Sequence, residues 1–234
     1  RELLAAGRRR AREVWFAAEA GESAILAEIG DLAAAARVPV RVVPRGRLDA
    51  AARTDANQGV LARAEPLPEA DLADLVAAGQ TPAPYLLVLD GVTDPHNLGA
   101  LLRTAVGAGV TGAVLGRHRS AHVTPTVTKA AAGAVEHLPI ALVPGIPSAL
   151  AELGRAGVWT VGLAADGERT VDDLDLGDQP LALVLGSEGR GLSRLARDRC
   201  DLVARIPLRG PLESLNVASA GAVAAFTFAR GRAL

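Results

Sequence analysis

The chain has 234 residues, half of them hydrophobic, with aromatics at 3% and a formal net charge of −1. That length accommodates one large domain or two small ones, with a core of Ala, Val and Leu rather than rings. A near-neutral balance does not announce a nucleic-acid binder. The single cysteine, Cys200, excludes an intrachain disulfide or a cysteine metal cluster.

No apolar run approaches the length of a membrane span and no signal peptide is visible. A cytoplasmic enzyme or binding protein is therefore expected. The chain begins at Arg1 without a methionine, which suggests a trimmed upstream segment. Lys129 is the only lysine. Arginine suits phosphate recognition where geometry matters, and a GC-rich genome would give the same bias. Cys200 lies among charged residues and carries no nucleophile signature.

Residues 1 to 12 carry Arg1, Arg8, Arg9, Arg10 and Arg12 against Glu2 alone. Such a run is either a solvated face or a contact to nucleic-acid phosphates. Val14 to Ala17 reads as a strand, and Glu22 to Arg37 has helical spacing. Val38 to Val43 and Val60 to Ala64 read as strands, with a short helix over Arg47 to Arg53 between them. Glu69 to Ala78 reads as a helix or helical linker, and residues 79–84 as a linker by composition. The expected division is a small α/β domain over 1–78, a linker over 79–84 and a second domain over 85–234.

Tyr85 to Asp90 is a buried strand, and Asp94-Pro95 caps the helix that follows. Asn97 and Arg103 lie on that helix, about 120° apart around an ideal axis. Each has an ordinary reading, Asn97 as a helix-start residue and Arg103 as a solvated position. Val110 to Leu115 is a strand, followed by a basic loop with Arg117, His118, Arg119 and His122. The two histidines lack an acidic companion, so no metal site is expected there. Arg117 and Arg119 are candidate phosphate contacts. Lys129 to Val135 reads as a helix of small residues, Ile140 to Val143 as a strand, Ser148 to Ala156 as a helix and Val158 to Leu163 as a strand.

The stretch from Leu181 to Phe228 organises the chain. An apolar strand runs into a glycine loop, Gly186 to Gly191, and a second short strand (Leu202 to Ile206) meets Pro207. Glu213-Ser214-Leu215-Asn216 then opens a helix of small residues. Glu188 follows the glycine turn, where it would bond loop amides. Strand-end corners at Ala164, Gly186 and Ile206 suit one ligand pocket beyond the carboxyl ends of a sheet. The glycine loop lacks the G-x-G-x-x-G fingerprint, so a nucleotide-binding oxidoreductase is disfavoured.

Three motifs in order resemble the SpoU (TrmH) branch of the SPOUT RNA methyltransferases. They are Asp94-Pro95-His96-Asn97-Leu98-Gly99 with Arg103, Leu185-Gly186-Ser187-Glu188-Gly189-Arg190-Gly191, and Ile206-Pro207 through Glu213-Ser214-Leu215-Asn216-Val217-Ala218. Residues before the linker are similar to the L30e-like substrate-binding domain of the subgroup that methylates a guanosine ribose in 23S rRNA. The subgroup's usual His-Gln-Gly is Asn57-Gln58-Gly59 here.

The resemblance implies an α/β fold: a SPOUT domain with a mostly parallel sheet and a deep trefoil knot, preceded by the small α/β domain. It implies a homodimer that transfers a methyl group from S-adenosylmethionine to a ribose 2′-hydroxyl, with no metal. Ala164, Gly186, Ile206 and Leu215 would cradle the cofactor. Asn97, Arg103, Glu188, Ser214 and Asn216 would form the catalytic set. Arg8, Arg9, Arg10, Arg117 and Arg119 would hold RNA. A tRNA, an rRNA site conferring antibiotic resistance, and a non-catalytic RNA-binding role are the alternatives.

Overall fold

A computed structural model describes residues 1–21, 23–52, 57–77, 79–118 and 120–232. The chain forms two compact units, Arg1–Pro68 and Glu69–Leu234.

The first unit is a three-stranded sheet in the order β2-β1-β3. Strand β1 (Ala11–Ala17) pairs in parallel with β2 (Val40–Val43) and antiparallel with β3 (Val60–Ala64). A parallel pair needs a crossover, and helix α2 (Ala24–Ala35) supplies it. Ser23 caps α2 by accepting from the Leu26 amide. Ile29 and Ala33 of α2 pack with Val14 on one face of the sheet. On the other face Trp15, Ala17 and Val43 pack with Leu48 of α3 (Arg45–Ala51). Strand β1 begins three residues earlier than its apolar run predicts, so it takes in Ala11, Arg12 and Glu13. A short helix, α1 (Glu2–Ala6), occupies the start of the basic run.

The second unit is a seven-stranded sheet in the order β6-β5-β4-β9-β7-β10-β8. The strands are β4 (Tyr85–Asp90), β5 (Gly112–Gly116), β6 (Ile140–Val143), β7 (Trp159–Leu163), β8 (Arg169–Thr170), β9 (Leu181–Gly186) and β10 (Leu202–Arg205). All the pairings are parallel. Parallel sheets are buried on both faces, and every residue of β5 and β9 is buried. That burial is why these strands read as continuous apolar runs rather than alternating ones.

The unit boundary falls earlier than the linker composition suggests. Residues 69–77 belong to the second unit, and only Leu72–Leu75 (α4) is helical. Leu72 and Leu75 join the second core, and the Ala70 amide donates to Ile140 O at the edge of β6. Apolar burial decides the allegiance of this segment, and its local sequence looks like a linker because only two residues carry that burial.

Helix α5 (Pro95–Gly107) starts at Asp94, whose carboxylate accepts from the Asn97 amide at 2.7 Å. The small-residue helix expected over Lys129 to Val135 is instead α6 (Pro125–Ala130), capped by Thr124. It stops because Ala132 and Gly133 take positive φ of 49° and 82°, and a single 3-10 turn follows at Ala134–Glu136. A Cβ on Gly99 would lie 2.4 Å from Ala130 Cβ, so α5 and α6 approach backbone to backbone. Helices α7 (Ile146–Arg155), α8 (Arg194–Arg197) and α9 (Val217–Ala229) complete the unit. The helix after the third motif thus starts at Val217, and Glu213 to Leu215 precede it as an exposed stretch. No helix among the described residues is long and apolar enough to cross a membrane.

Gly99→Val is expected to destabilise the protein by about 1–3 kcal/mol through overpacking. Gly154→Ala, on α7 with nothing within 4 Å of its Cβ position, is expected to stabilise by about 0.5–1 kcal/mol through helix propensity. Urea unfolding midpoints of the two variants against wild type measure both.

Candidate active site

Strands β9, β7 and β10 are adjacent and parallel, so their carboxyl ends meet one edge of the sheet. Gly186, Ala164 and Ile206 therefore lie at neighbouring strand ends. The Ala164 amide donates to Ala204 O at 2.9 Å, and a Cβ on Gly167 would sit 2.4 Å from the Ala204 carbonyl carbon. At Gly186 a Cβ would fall 2.0 Å from the carbonyl carbon of Gly191. Only glycine allows the loop to fold back on the strand end this closely. Ser187 and Gly191 exchange backbone hydrogen bonds at 3.0 and 2.9 Å, which closes the loop. Its far end is held by Asp90, whose carboxylate accepts from the Ser193 amide at 2.7 Å. Asp90 escaped notice in the sequence. Its one signal there is a carboxylate closing an otherwise apolar strand. Leu215 lies in the exposed stretch before α9.

The polar centre of the site joins three distant pieces of chain. Asn97 Nδ2 donates to Glu188 Oε1 at 2.8 Å, and Asn216 Nδ2 donates to the same oxygen at 2.6 Å. Asn216 Nδ2 also lies 3.1 Å from Asn97 Oδ1. The Oδ1 of Asn216 accepts from the Ala218 and Ser219 amides and so caps α9. That cap fixes the orientation of the amide, because its oxygen must face the helix and its nitrogen must face the carboxylate. An ionised carboxylate, an acceptor only, suits two amide donors. Glu188 thus bonds side-chain amides from two helices, in place of the loop amides its position suggests.

The structure brings Asn97, Glu188 and Asn216 together. Arg103 lies further along α5, exposed, with no hydrogen bond or ion pair among the described residues. Ser214 is exposed beside the cluster's third strand of chain, two residues before Asn216, without a hydrogen bond among the described residues. Arg117 pairs with Glu69, its two terminal nitrogens reaching the two carboxylate oxygens at 3.4 and 2.6 Å. Arg119 lies outside the described residues. Arg9 donates to Glu65 O at 2.9 Å, and Arg10 is exposed. Arg8 is half-buried, with Nη1 sealed away from solvent and unpartnered. Burial pushes the Cys200 thiol up to about 12, which leaves it protonated and unreactive near neutral pH. No cluster of three or more metal-ligating side chains occurs among the described residues.

Residues 84–226 match the model of the SpoU rRNA Methylase family. The chain belongs to the SpoU rRNA methylase family. Residues 1–70 of this SpoU chain match a second model, RNA 2′-O ribose methyltransferase substrate binding. It is 40% identical over 227 residues to the 23S rRNA (guanosine-2′-O-)-methyltransferase RlmB of Pseudomonas putida, covering 96% of this chain and 90% of the relative. It is 37% identical to the putative TrmH family tRNA/rRNA methyltransferase YacO of Bacillus subtilis, covering 88% of this chain and 82% of the relative. The SpoU methyltransferase AviRb from Streptomyces viridochromogenes, in complex with AdoMet, superposes with a TM-score of 0.79 at 25% identity. That match covers 98% of this chain and 85% of the other.

Asn216 couples helix start to carboxylate, and two variants separate these roles. Asn216→Ala is expected to lose about 1 kcal/mol or more for the cap alone. Asn216→Ser keeps a capping oxygen and gives up the Glu188 bond, so it is expected to be the more stable of the two in denaturant titration.

Proposed function

We propose that this chain methylates the 2′-hydroxyl of a guanosine ribose in 23S rRNA, with S-adenosylmethionine as methyl donor. The observation that carries the reading is the junction of Asn97, Glu188 and Asn216 beside the carboxyl edge of β9, β7 and β10. All three SpoU motifs meet there. The closely folded loops at Gly167 and Gly186 suit a cofactor held by backbone groups, with Ala164, Gly186, Ile206 and Leu215 around it. The sulfonium supplies an already activated methyl when bound.

The chain's own task is to bring the hydroxyl oxygen into line and to favour loss of its proton. Arg103 is assigned the reacting hydroxyl. Its guanidinium is too basic to accept a proton near neutral pH, so it positions the oxygen and stabilises the developing alkoxide. Its freedom from any ion pair among the described residues supports that role. Asn97, Asn216 and Ser214 orient ribose, phosphate or Arg103, and Glu188 holds the two amides in place.

The RlmB relatives support the rRNA substrate, and the N-terminal substrate-binding match supports it further. A structure described for 2-OH methylation of C/U34 on tRNA covers only 64% of this chain, at a TM-score of 0.58. A tRNA substrate is therefore the weaker reading. Arg10, exposed and unpartnered among the described residues, keeps an assignment to RNA phosphates. A homodimer belongs to the same proposal, supported by Val223 and Phe226, which α9 leaves exposed. So do a cytoplasmic location and a trefoil knot, the knot supported by the close pass of Gly167 against Ala204.

The test is methyl transfer from labelled S-adenosylmethionine to total RNA of a strain lacking the gene, with the product mapped by mass spectrometry. One 2′-O-methylguanosine in 23S rRNA is expected. Label in tRNA would overturn the substrate, and no label in any RNA, with cofactor bound, would overturn the reaction. Arg103→Ala is expected to lower kcat by about 10²–10³-fold, the scale of one lost transition-state donor, while calorimetry finds cofactor affinity little changed.

A further inference from the structure

The basic run at the start of the chain is largely occupied by the chain itself. Arg1 pairs with Glu28 and Glu2, Arg9 donates to Glu65 O, and Arg12 pairs with Glu65. A different set of arginines stands on one face of the first sheet. Glu13 and Trp15 are two apart on β1 and so share a face. Arg63 of β3 lies opposite Glu13, and Arg41 of β2 lies opposite Trp15. Arg47 reaches the same ring from α3.

The details make this a preorganised surface. The guanidinium carbons of Arg63 and Arg47 stand 4.7 and 5.3 Å from the centre of the Trp15 ring. Trp15 itself is 4% exposed, so the ring is a fixed floor. A guanidinium stacked on an aromatic face keeps its plane defined and its edge N–H donors available. Glu13 pairs with both Arg41 and Arg63, at 3.2 and 3.3 Å. One carboxylate thus serves two arginines. It is largely covered, with 15% of its side chain exposed, against 62% for Arg41 and 55% for Arg63. Three cations against one sheltered anion leave an outward-facing excess of positive charge, with Arg47 and Arg63 held at the ring and Arg41 held by Glu13.

We infer that the face formed by Arg41, Arg47 and Arg63 over Trp15 binds the phosphodiester backbone of the RNA substrate. This rests on the proposed RNA methyl transfer and adds the sheet face to Arg10 as a phosphate-holding surface of the first unit. Planar forks fixed in this way match the paired oxygens of phosphate, which mobile side chains match only after ordering. The contact reads backbone rather than base, so it adds affinity and register without choosing the nucleotide.

The test uses the full chain and a 23S rRNA transcript, with binding measured over a salt series from about 50 to 200 mM. Arg41→Gln/Arg63→Gln is expected to reduce the slope of log K against log salt by about 1.4–1.8, for two lost phosphate contacts. KM for RNA should rise with kcat unchanged, the mark of uniform binding. Arg41→Lys/Arg63→Lys should restore most of the slope, because counterion release counts charge. Arg1→Gln/Arg12→Gln, at arginines already paired with carboxylates, should leave it close to wild type.

An unchanged slope in the Gln pair, with circular dichroism and cofactor affinity as in wild type, would overturn the inference. So would an equal loss in the Arg1/Arg12 pair, or a Lys pair as weak as the Gln pair. These results leave the proposed function standing if wild type still methylates RNA. Wild type that neither binds nor methylates RNA would overturn both.

Discussion

One carboxylate oxygen holds the candidate site together. Glu188 Oε1 accepts from Asn97 and from Asn216, residues separated from it by long stretches of chain. Asn97 stands in the first turn of α5 and Asn216 caps α9, so the carboxylate lies at the beginning of both helices. Helix N-termini carry partial positive charge and favour an anion there. The same geometry satisfies helix ends, fixes the amide orientations and joins the three motifs. Hydrogen bonds to a charged acceptor are stronger than neutral ones, although exposure of the cluster tempers that gain.

The junction can form only because α5 and α9 come close. A Cβ on Gly221 would lie 2.4 Å from Leu101 Cδ2 and 2.8 Å from Leu185 Cδ1, so α9 presses its backbone onto α5 and β9. Tyr85 reinforces this packing by donating its hydroxyl to Ala225 O at 2.8 Å. The scarcity of aromatics and the abundance of small residues have a structural use here. Small side chains let helices approach until capping groups at their ends can meet across the strand edge. Arg232 closes the far side, donating to the carbonyls of Gly177, Gln179, Ala83 and Pro84 while it stacks over Tyr85.

Much of this was legible in the sequence where the deciding force is local. The apolar runs at Tyr85 and Leu181 are strands because both faces of a parallel sheet are buried, and Asp94-Pro95 announces its helix by cap chemistry. The misreadings fall where distant chain decides. Residues 69–77 look like a linker until Leu72 and Leu75 find the second core. The small residues from Lys129 onward look helical throughout, yet positive φ at Ala132 ends α6. The two-residue strand β8 is made by its pairing with β10, and no pattern that short is visible alone. In the site, the motifs named the residues, but the sequence could not say that Glu188 would choose side-chain amides over loop amides. Nor could it say that Glu69 would take Arg117.

The arginines make the same point about charge. A net charge of −1 argues against RNA only if each charge counts equally, and in the folded chain they do not. Arg12, Arg45, Arg117 and Arg197 each stand against a carboxylate, at Glu65, Asp49, Glu69 and Asp166. These pairs are exposed and contribute little to stability, but they neutralise one another at short range. At distances beyond a Debye length, about 8–10 Å at physiological salt, a polyanion feels mainly the groups left uncompensated. Arg103 is such a group in the second unit, and the excess over Glu13 is such a group in the first. Pairing, and not the total, determines where this chain presents positive charge. A near-neutral protein can therefore act on a nucleic acid with few arginines, provided those few are held in place by rings, caps and strands.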